Sequence, residues 1–488
     1  MVFRRSYKSD TSFLEKLCMG AAGTRQIHED LSAHGHEPIE LERGSTGFKI
    51  WKEIKIKRVR VPDILCVRCG RRVEARAKTK FEISMSHSQS TPERGWDFGL
   101  RDEDLVGIVL CSRTGEEPTS WNALEMVHYM TVRDLRSAFA KGMVTKEKPK
   151  GAEEGFELRV TWPSSIATRG GRVSEISSSA IKYRRINDNG TTSLGLVRKG
   201  IRLKPLVEVG AEVHAGQVLA SVVPVHGYIE CGEPVGSEYY IKLLRSVDLS
   251  DRYTACKALT ILTGPEAIEA LVERQSDVNE HIYVRLEAAA GLMRRADARG
   301  SDFVKQCLAD DYLTNRLEAA IILGEIKNKT SLDLLIRALK DPEQHPEIRA
   351  GAAYSLGELG NRDSLEALVE VFLTVDQRIR AEAARSLAKL GQKFPEELAA
   401  TFPTGLSDQR AGIAWALTRS QALPIRKLME NPLDEDGRQW IAFILGSQKP
   451  TAYVEEVEEL RKQDPEVYFA VTVLWKILSS WINGLEEY

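Results

Sequence analysis

Two periods of hydrophobicity divide the chain. From about residue 252 onward, apolar positions return every three to four residues, as in Leu332, Leu335 and Leu339, which predicts amphipathic helices. The stripes sit inside a longer repeat that opens on an arginine and continues with small residues: "VRLEAAAGLM", "NRLEAAIILGEI", "IRAGAAYSLGELG", "IRAEAARSLAKLG". The leading arginines are Arg252, Arg285, Arg316, Arg349, Arg380, Arg410 and Arg438, spaced 33, 31, 33, 31, 30 and 28 residues apart. That length holds two short helices and two turns. Between 155 and 245 the period falls to two, in "FELRVTW", "AIKYRRI" and "SLGLVRKGIRL", with turn signals at "RGG" and "NDNG", so short strands are expected. Before that, "SFLEKLCMGAAGTRQIHEDLSAHG" reads as a helix stopped by glycine. It is followed by strands at "EPIELERGS", "FKIWKEIKIKRVRVPDILCV", "RRVEARAKTKFEISMS" and "EDLVGIVLCS", and by a strand running into a helix at "MVHYMTVRDLRSAFAKG".

One helix pair of the C-terminal kind cannot bury its own apolar face, so neighbours must stack. Paired alanines such as Ala352–Ala353 and Ala383–Ala384 let successive helices approach closely. The segment from 247 to 485 resembles short HEAT-like repeats of the HEAT and phycobilisome-lyase type. That resemblance implies an α-solenoid acting as a partner-binding scaffold, in which the arginines tie neighbouring repeats through acidic residues. Some relatives act as bilin lyases, but only the repeats carry that third reading. The last pair, "PEVYFAVTVLWKILSSWI" with Trp475 and Trp481, lacks the arginine and reads as a terminal cap. In the middle segment, "LVEVGAEVHAGQVLASVVP" resembles the hairpin of biotinyl and lipoyl barrel-sandwich domains. It lacks the Met-Lys-Met of a swinging arm, which implies a structural module.

The expected organisation is therefore multidomain, α/β then β then all-α. An α/β domain with a mixed sheet spans 1–145, a β-rich barrel-sandwich-like domain 155–245, and a HEAT-like solenoid 247–488. No apolar run approaches the roughly 18 residues of a membrane span, and the start lacks the apolar core of a signal peptide. Seven cysteines in 488 residues fit a reducing cytoplasm better than a disulfide framework.

The net charge of −2 conceals an asymmetry. Between Lys49 and Lys80 there are twelve Lys or Arg and three acids, so 12 − 3 gives +9 there and −2 − 9 = −11 elsewhere. Such a segment is either a polyanion surface or a solvated strand face. On the first reading Lys55, Lys57, Arg58, Arg60, Arg71, Arg72 and Lys80 would contact nucleic acid, and Lys182, Arg184, Arg185, Arg198 and Lys199 would extend the track.

Within the basic run lies "RVPDILCVRCGRRVEARAK". Side chains alternate along a strand, so Glu74, Arg76 and Lys78 share a face, and Asp63 on the adjoining strand can lie opposite Glu74. Two carboxylates converging on Mg²⁺ or Mn²⁺ beside a lysine are what metal-assisted phosphodiester cleavage requires. A helix followed by Pro62-Asp63 and then Glu74 on the next strand resembles the PD-(D/E)XK, restriction-endonuclease-like superfamily, over residues 10–145. The resemblance implies that Asp63 and Glu74 hold the metal, that a lysine assists, and that Glu29 or Glu15 supplies a helix-borne acid. The family's lysine position holds Arg76 here, and Lys78 lies one same-face step beyond. The first functional reading is thus a nuclease acting on DNA in genome maintenance or anti-phage defence. The alternative is an inactive nuclease-like scaffold or adaptor that grips nucleic acid. Ordinary salt-bridging residues would also account for the motif.

Two further features are chemically marked. His87 lies in the polar run "SMSHSQSTPERGWDFGL", either a site loop with a phosphate-contacting His or a structural histidine. Cys66 and Cys69, followed by Gly70, have the form of half a zinc knuckle, or of a tight turn with two free thiols. A structural zinc needs two more ligands, which Cys18, Cys111, His87 or His128 would have to supply.

Overall fold

The computed structural model describes residues 10–41, 59–115, 120–148, 158–186, 188, 190–419, 423–429, 434–448 and 453–485. Lys55, Lys57 and Arg58, and the strand expected around them, lie outside the described residues. The chain forms two compact units that divide between Ala267 and Ile268.

The first unit opens with helix α1 (Asp10–Ala33), which ends ahead of Gly35 at φ +79°. It packs on a five-stranded sheet ordered β1 (Pro38–Glu40), β2 (Ile64–Cys66), β3 (Arg72–Lys78), β5 (Leu105–Arg113) and β6 (Trp121–Thr131). The sheet is mixed, as expected: β3 runs parallel to β5 while the other neighbours are antiparallel. The alternation of β3 divides its side chains between two layers. Val73, Ala75 and Ala77 pack with Ile27 and Leu31 of α1 and with Val109, Val127 and Tyr129. Gly23 permits this closeness, because a Cβ there would sit 2.7 Å from that of Ala77.

The opposite face of the sheet carries Val106, Ile108 and Met130, which belong to a second core. That core includes Trp96, Leu135 of helix α2 (Val132–Ala140), and Ile83, Met85, Val160 and Trp162. The last four lie on β4 (Ile83–His87) and β8 (Leu158–Trp162), which pair with each other and with β7 (Thr145–Glu147) in a three-stranded sheet.

The β-rich middle is built of small sheets, and no closed barrel forms among the described residues. The barrel-sandwich-like phrase yields two short strands that do not pair with each other. Glu212–Val213 joins the sheet of Gly171–Ile176, while Val218–Ser221 joins Ser164–Ile166 in another. Its turns fall at Gly210 and Gly216, both at positive φ, where a side chain would strain the backbone. Lys182 pairs with Glu175, Arg185 with Asp188 and Lys199 with Glu147, so these cations form acid-paired strand surfaces. Helices α3 (Ser237–Leu243) and α4 (Leu249–Ile261) close the first unit.

In the second unit the arginine-bearing helices form a continuous packed series. They are α6 (Ile282–Arg294), α8 (Leu313–Gly324), α10 (Pro346–Leu359), α12 (Gln377–Gly391), α14 (Ser407–Leu417) and α16 (Glu435–Gly446). Each alternates with a partner: α5 (Pro265–Ser276), α7 (Ala298–Leu308), α9 (Lys329–Lys340), α11 (Ser364–Glu370), α13 (Pro395–Ala400) and α15 (Ile425–Met429). The final pair is α17 (Val454–Gln463) and α18 (Pro465–Leu485), where Trp475 Nε1 donates to the Leu445 carbonyl that ends α16.

The small residues serve the close approach anticipated for them. A Cβ on Gly324 would meet Ser355, and one on Gly357 would lie 2.6 Å from Ser386 Oγ. That hydroxyl crosses from α12 to donate to the Ala353 carbonyl of α10 at 2.8 Å. The repeated arginines act locally. Arg349 donates to the Leu339 carbonyl at the end of α9, and Arg285 to that of Gln275. Arg380 pairs with Asp408, Arg410 with Asp434 and Asp436, and Arg438 with Asp464 and Glu466, each acid lying one repeat ahead. Each guanidinium thus ties a helix start to a preceding helix end, to the next repeat, or to both.

Candidate functional site: the β2–β3 hairpin

The hairpin forms in the expected register, Ile64 opposite Val73 and Leu65 opposite Arg72. Asp63 immediately precedes β2, and its Oδ2 accepts the Ala75 amide at 2.6 Å, which brings its carboxylate against β3 beside Glu74. Glu74, Arg76 and Lys78 share the face turned from α1, as alternation requires.

What fills that face differs from a metal-ready triad. Arg76 reaches Glu74 Oε1 at 2.5 Å, so the cation that stands where the resemblance expects a lysine is paired to the acid. Lys78 points to β4, where its Nζ donates to the Ser84 carbonyl at 2.8 Å and the Ser84 hydroxyl at 3.2 Å. Burial, then the nearby Arg76 and Arg159 cations, pushes the Lys78 ammonium down to about 8. Glu74, Arg76 and Lys78 are half-buried on this face. Glu29 is exposed on α1, and Glu15 pairs with Arg113, so the structure brings neither to Asp63 and Glu74.

The expected basic surface is also partly corrected. Arg72 is 1% exposed and serves the interior. Its Nε and Nη2 grip Asp104 at 2.9 and 2.5 Å, and its Nη1 donates to Ser250 Oγ at 2.9 Å and Asp251 Oδ1 at 3.2 Å. Arg101 reaches the same Asp251 oxygen at 2.6 Å. A buried guanidinium requires partners for all its donors, and α4 supplies two of them. Arg60 donates to the carbonyls of Glu93 and Gly95, and Arg71 to that of Glu230. Lys80 is exposed. His87 does not lie in a loop: it ends β4 opposite Leu158, with its ring edge-on to Phe139. Burial holds its pKa below the ordinary value.

At the hairpin tip, Cys66 and Cys69 meet two residues from distant segments. His36, between α1 and β1, places Nδ1 3.6 Å from Cys69 Sγ, and Cys231 places Sγ 3.8 Å from Cys66 Sγ. All four donor atoms lie within 4.8 Å of one another, and this is the group of three or more metal-ligating side chains found among the described residues. Gly70, at φ +74°, turns the chain so that its amide donates to the Cys66 carbonyl at 2.9 Å. The Glu37 amide donates to Cys66 Sγ at 3.3 Å. The Tyr240 hydroxyl donates to the Val67 carbonyl at 2.8 Å, and the Val235 amide to that of Arg68 at 2.7 Å. The Cys69 thiol is lowered to about 3, first by its hydrogen bond with Cys66 and further by backbone bonds at Arg71 and Gly232. Cys66 is raised by its bond to Cys69 and by burial, and Cys231 by burial.

Cys18, Cys111, His87 and His128 therefore do not complete this group. Cys111 Sγ faces the Met19 carbonyl, and His128 packs on the Phe81 ring. The missed residues were His36 and Cys231. The available signal was the second Cys-Gly pair, Cys231-Gly232, which repeats Cys69-Gly70.

Residues 306–388 match the family model described as HEAT repeats. The C-terminal region thus contains HEAT repeats. No curated protein matches the sequence significantly. Among solved structures, the CpcE–CpcF complex of phycocyanin lyase from Nostoc sp. PCC7120 is 20% identical, covering 51% of this chain and 97% of that one, with a TM-score of 0.26. The archaeal HEAT-like repeats protein from Thermococcus onnurineus is 17% identical over 45% of this chain and 99% of its own, with a TM-score of 0.24. Kap121p bound to Pho4p is 15% identical over 49% of this chain and 26% of its own, with a TM-score of 0.30. Among the described residues, no helix is long and apolar enough to cross a membrane.

Proposed function

We propose that the protein is a scaffold or adaptor, in which the HEAT array engages a protein partner and the N-terminal unit is a catalytically inactive, nuclease-like platform that grips nucleic acid. The observation carrying this reading is the Glu74–Arg76 ion pair with Lys78 turned to Ser84. A metal bound by Asp63 and Glu74 would have to displace a guanidinium, and the displaced lysine has no path to an attacking water while it is held on β4. The basic run through Arg60 and Lys80 supports a polyanion contact of the phosphate-neutralising kind. Purified protein is expected to bind labelled duplex or single strands with an affinity that falls steeply as salt rises, and to leave them uncut in Mg²⁺ or Mn²⁺. Affinity insensitive to salt would count against the grip.

A second reading, the active Mg²⁺-dependent nuclease, is favoured by the Asp63 carboxylate lying against β3 beside Glu74. Metal-dependent cutting of plasmid DNA that disappears in Asp63→Ala would replace the scaffold reading with this one.

A further inference from the structure

The four donors at the hairpin tip have the chemistry and spacing of a single tetrahedral ion. We propose that His36, Cys66, Cys69 and Cys231 form a closed structural zinc site that clasps the β2–β3 hairpin to the segment entering α3.

The geometry can be checked against the ion itself. With Zn–S of about 2.3 Å, the sulfurs of a tetrahedral site stand about 3.8 Å apart; with Zn–N of about 2.05 Å, sulfur and nitrogen stand about 3.6 Å apart. The Cys66–Cys231 separation is 3.8 Å and the Cys69–His36 separation 3.6 Å. No donor pair exceeds 4.8 Å, so the rest need draw in by at most about 1 Å. That spacing leaves room for one ion and none for a polynuclear cluster.

The histidine is already set in the required tautomer. Its Nε2 lies 3.0 Å from the Ile229 carbonyl, which can only accept, so Nε2 carries the hydrogen and Nδ1 presents its lone pair to the site. His36 is 5% exposed and Cys66 2%, while Cys69 and Cys231 are half-buried, so the site lies at the edge of the fold with two of its ligands withdrawn from water. The Glu37 amide directed at Cys66 Sγ is the kind of outer bond that stabilises a metal thiolate. Four protein ligands leave no open position for water, which makes the ion structural and not catalytic. Binding releases the remaining thiol protons to solvent as thiolate–metal bonds form, with no change in oxidation state. Of the other cysteines, Cys256 and Cys307 lie buried in helices, Cys111 faces the Met19 carbonyl, and none belongs to this group.

This proposal is independent of what the array or the basic run binds, because its readout is metal content. Full-length protein expressed with zinc and purified under reducing conditions is expected to hold one zinc per chain by elemental analysis. Replacement by Co²⁺ should give the visible d–d bands and thiolate charge-transfer absorption of a tetrahedral sulfur-rich site. Cys231→Ser should lose stoichiometric zinc, while Cys111→Ser, in the same unit, should keep it. His36→Cys should retain the ion, which separates ligation from a general packing role. Metal-free protein after both zinc-supplemented expression and anaerobic reconstitution would overturn the site. So would a Cys66–Cys231 disulfide in the purified chain, or zinc retained unchanged in Cys231→Ser.

Discussion

Arg349 finds its acceptor ten residues back, at the Leu339 carbonyl, whereas Arg72 finds one of its own 179 residues ahead, at Asp251. The same side chain serves two kinds of architecture. In the array, each unit needs only its neighbours, and stability is close to a sum of repeat and interface contributions. In the sheet unit, one hairpin collects partners from α1, the loop after Phe98, the Ile229–Gly236 segment, α3 and α4. Losing an array contact should weaken one interface; losing a hairpin contact should weaken several segments together.

The largest test of that contrast is Arg72→Ala. It leaves Asp104 buried without its cation and Asp251 with Arg101 alone, and should cost about 3–5 kcal/mol of first-unit stability. The effect is expected as lost amide-exchange protection across β2, β3 and α4, with the array's protection unchanged. Protection lost equally in the array would break the comparison. Gly357→Leu probes the other architecture. Its side chain would meet Ser386 at the α10–α12 approach, and overpacking there should cost about 1–3 kcal/mol, localised to the neighbouring repeats.

Titration sharpens the sheet side. The folded Lys78 ammonium, at about 8, lies below its unfolded value, so over the interval between them the unfolded chain binds more protons. First-unit stability should therefore gain roughly 1 kcal/mol from this residue between pH 7 and pH 9. Lys78→Met should remove that part of the dependence in denaturant titrations at the two pH values. Last, Arg349→Gln forfeits one guanidinium–carbonyl bond at a half-buried site and should cost about 1 kcal/mol in array unfolding.

What could be read from the residues follows the same divide. The array was legible because its information is periodic: arginine, small residues and a leucine stripe recur every 28 to 33 residues, and the helices follow. The β2–β3 hairpin was legible because alternation and a Cys-Gly turn are local signals. Its surroundings were not. A charge count treats Arg72 like Lys80, and only tertiary contacts make the first an interior strut. Likewise the pair Cys66 and Cys69 announces a ligand turn, but His36 and Cys231 carry no spacing rule that ties them to it. That Arg76 stands where the resemblance expects a lysine was visible, whereas its consequence, an ion pair with Glu74, required the pleat of β3 to be seen.

The reach of Arg72 to Asp251 also sets a schedule for synthesis. A chain elongating at about 5–20 residues per second needs on the order of 10–35 s to go from the end of β3 to α4. For most of that interval the hairpin has its turn and Asp104, but neither Asp251 nor Cys231. The array faces no such delay, since each helix pair meets its neighbour after one more repeat has emerged. The hairpin thus waits far longer for its partners than a helix pair of the array does.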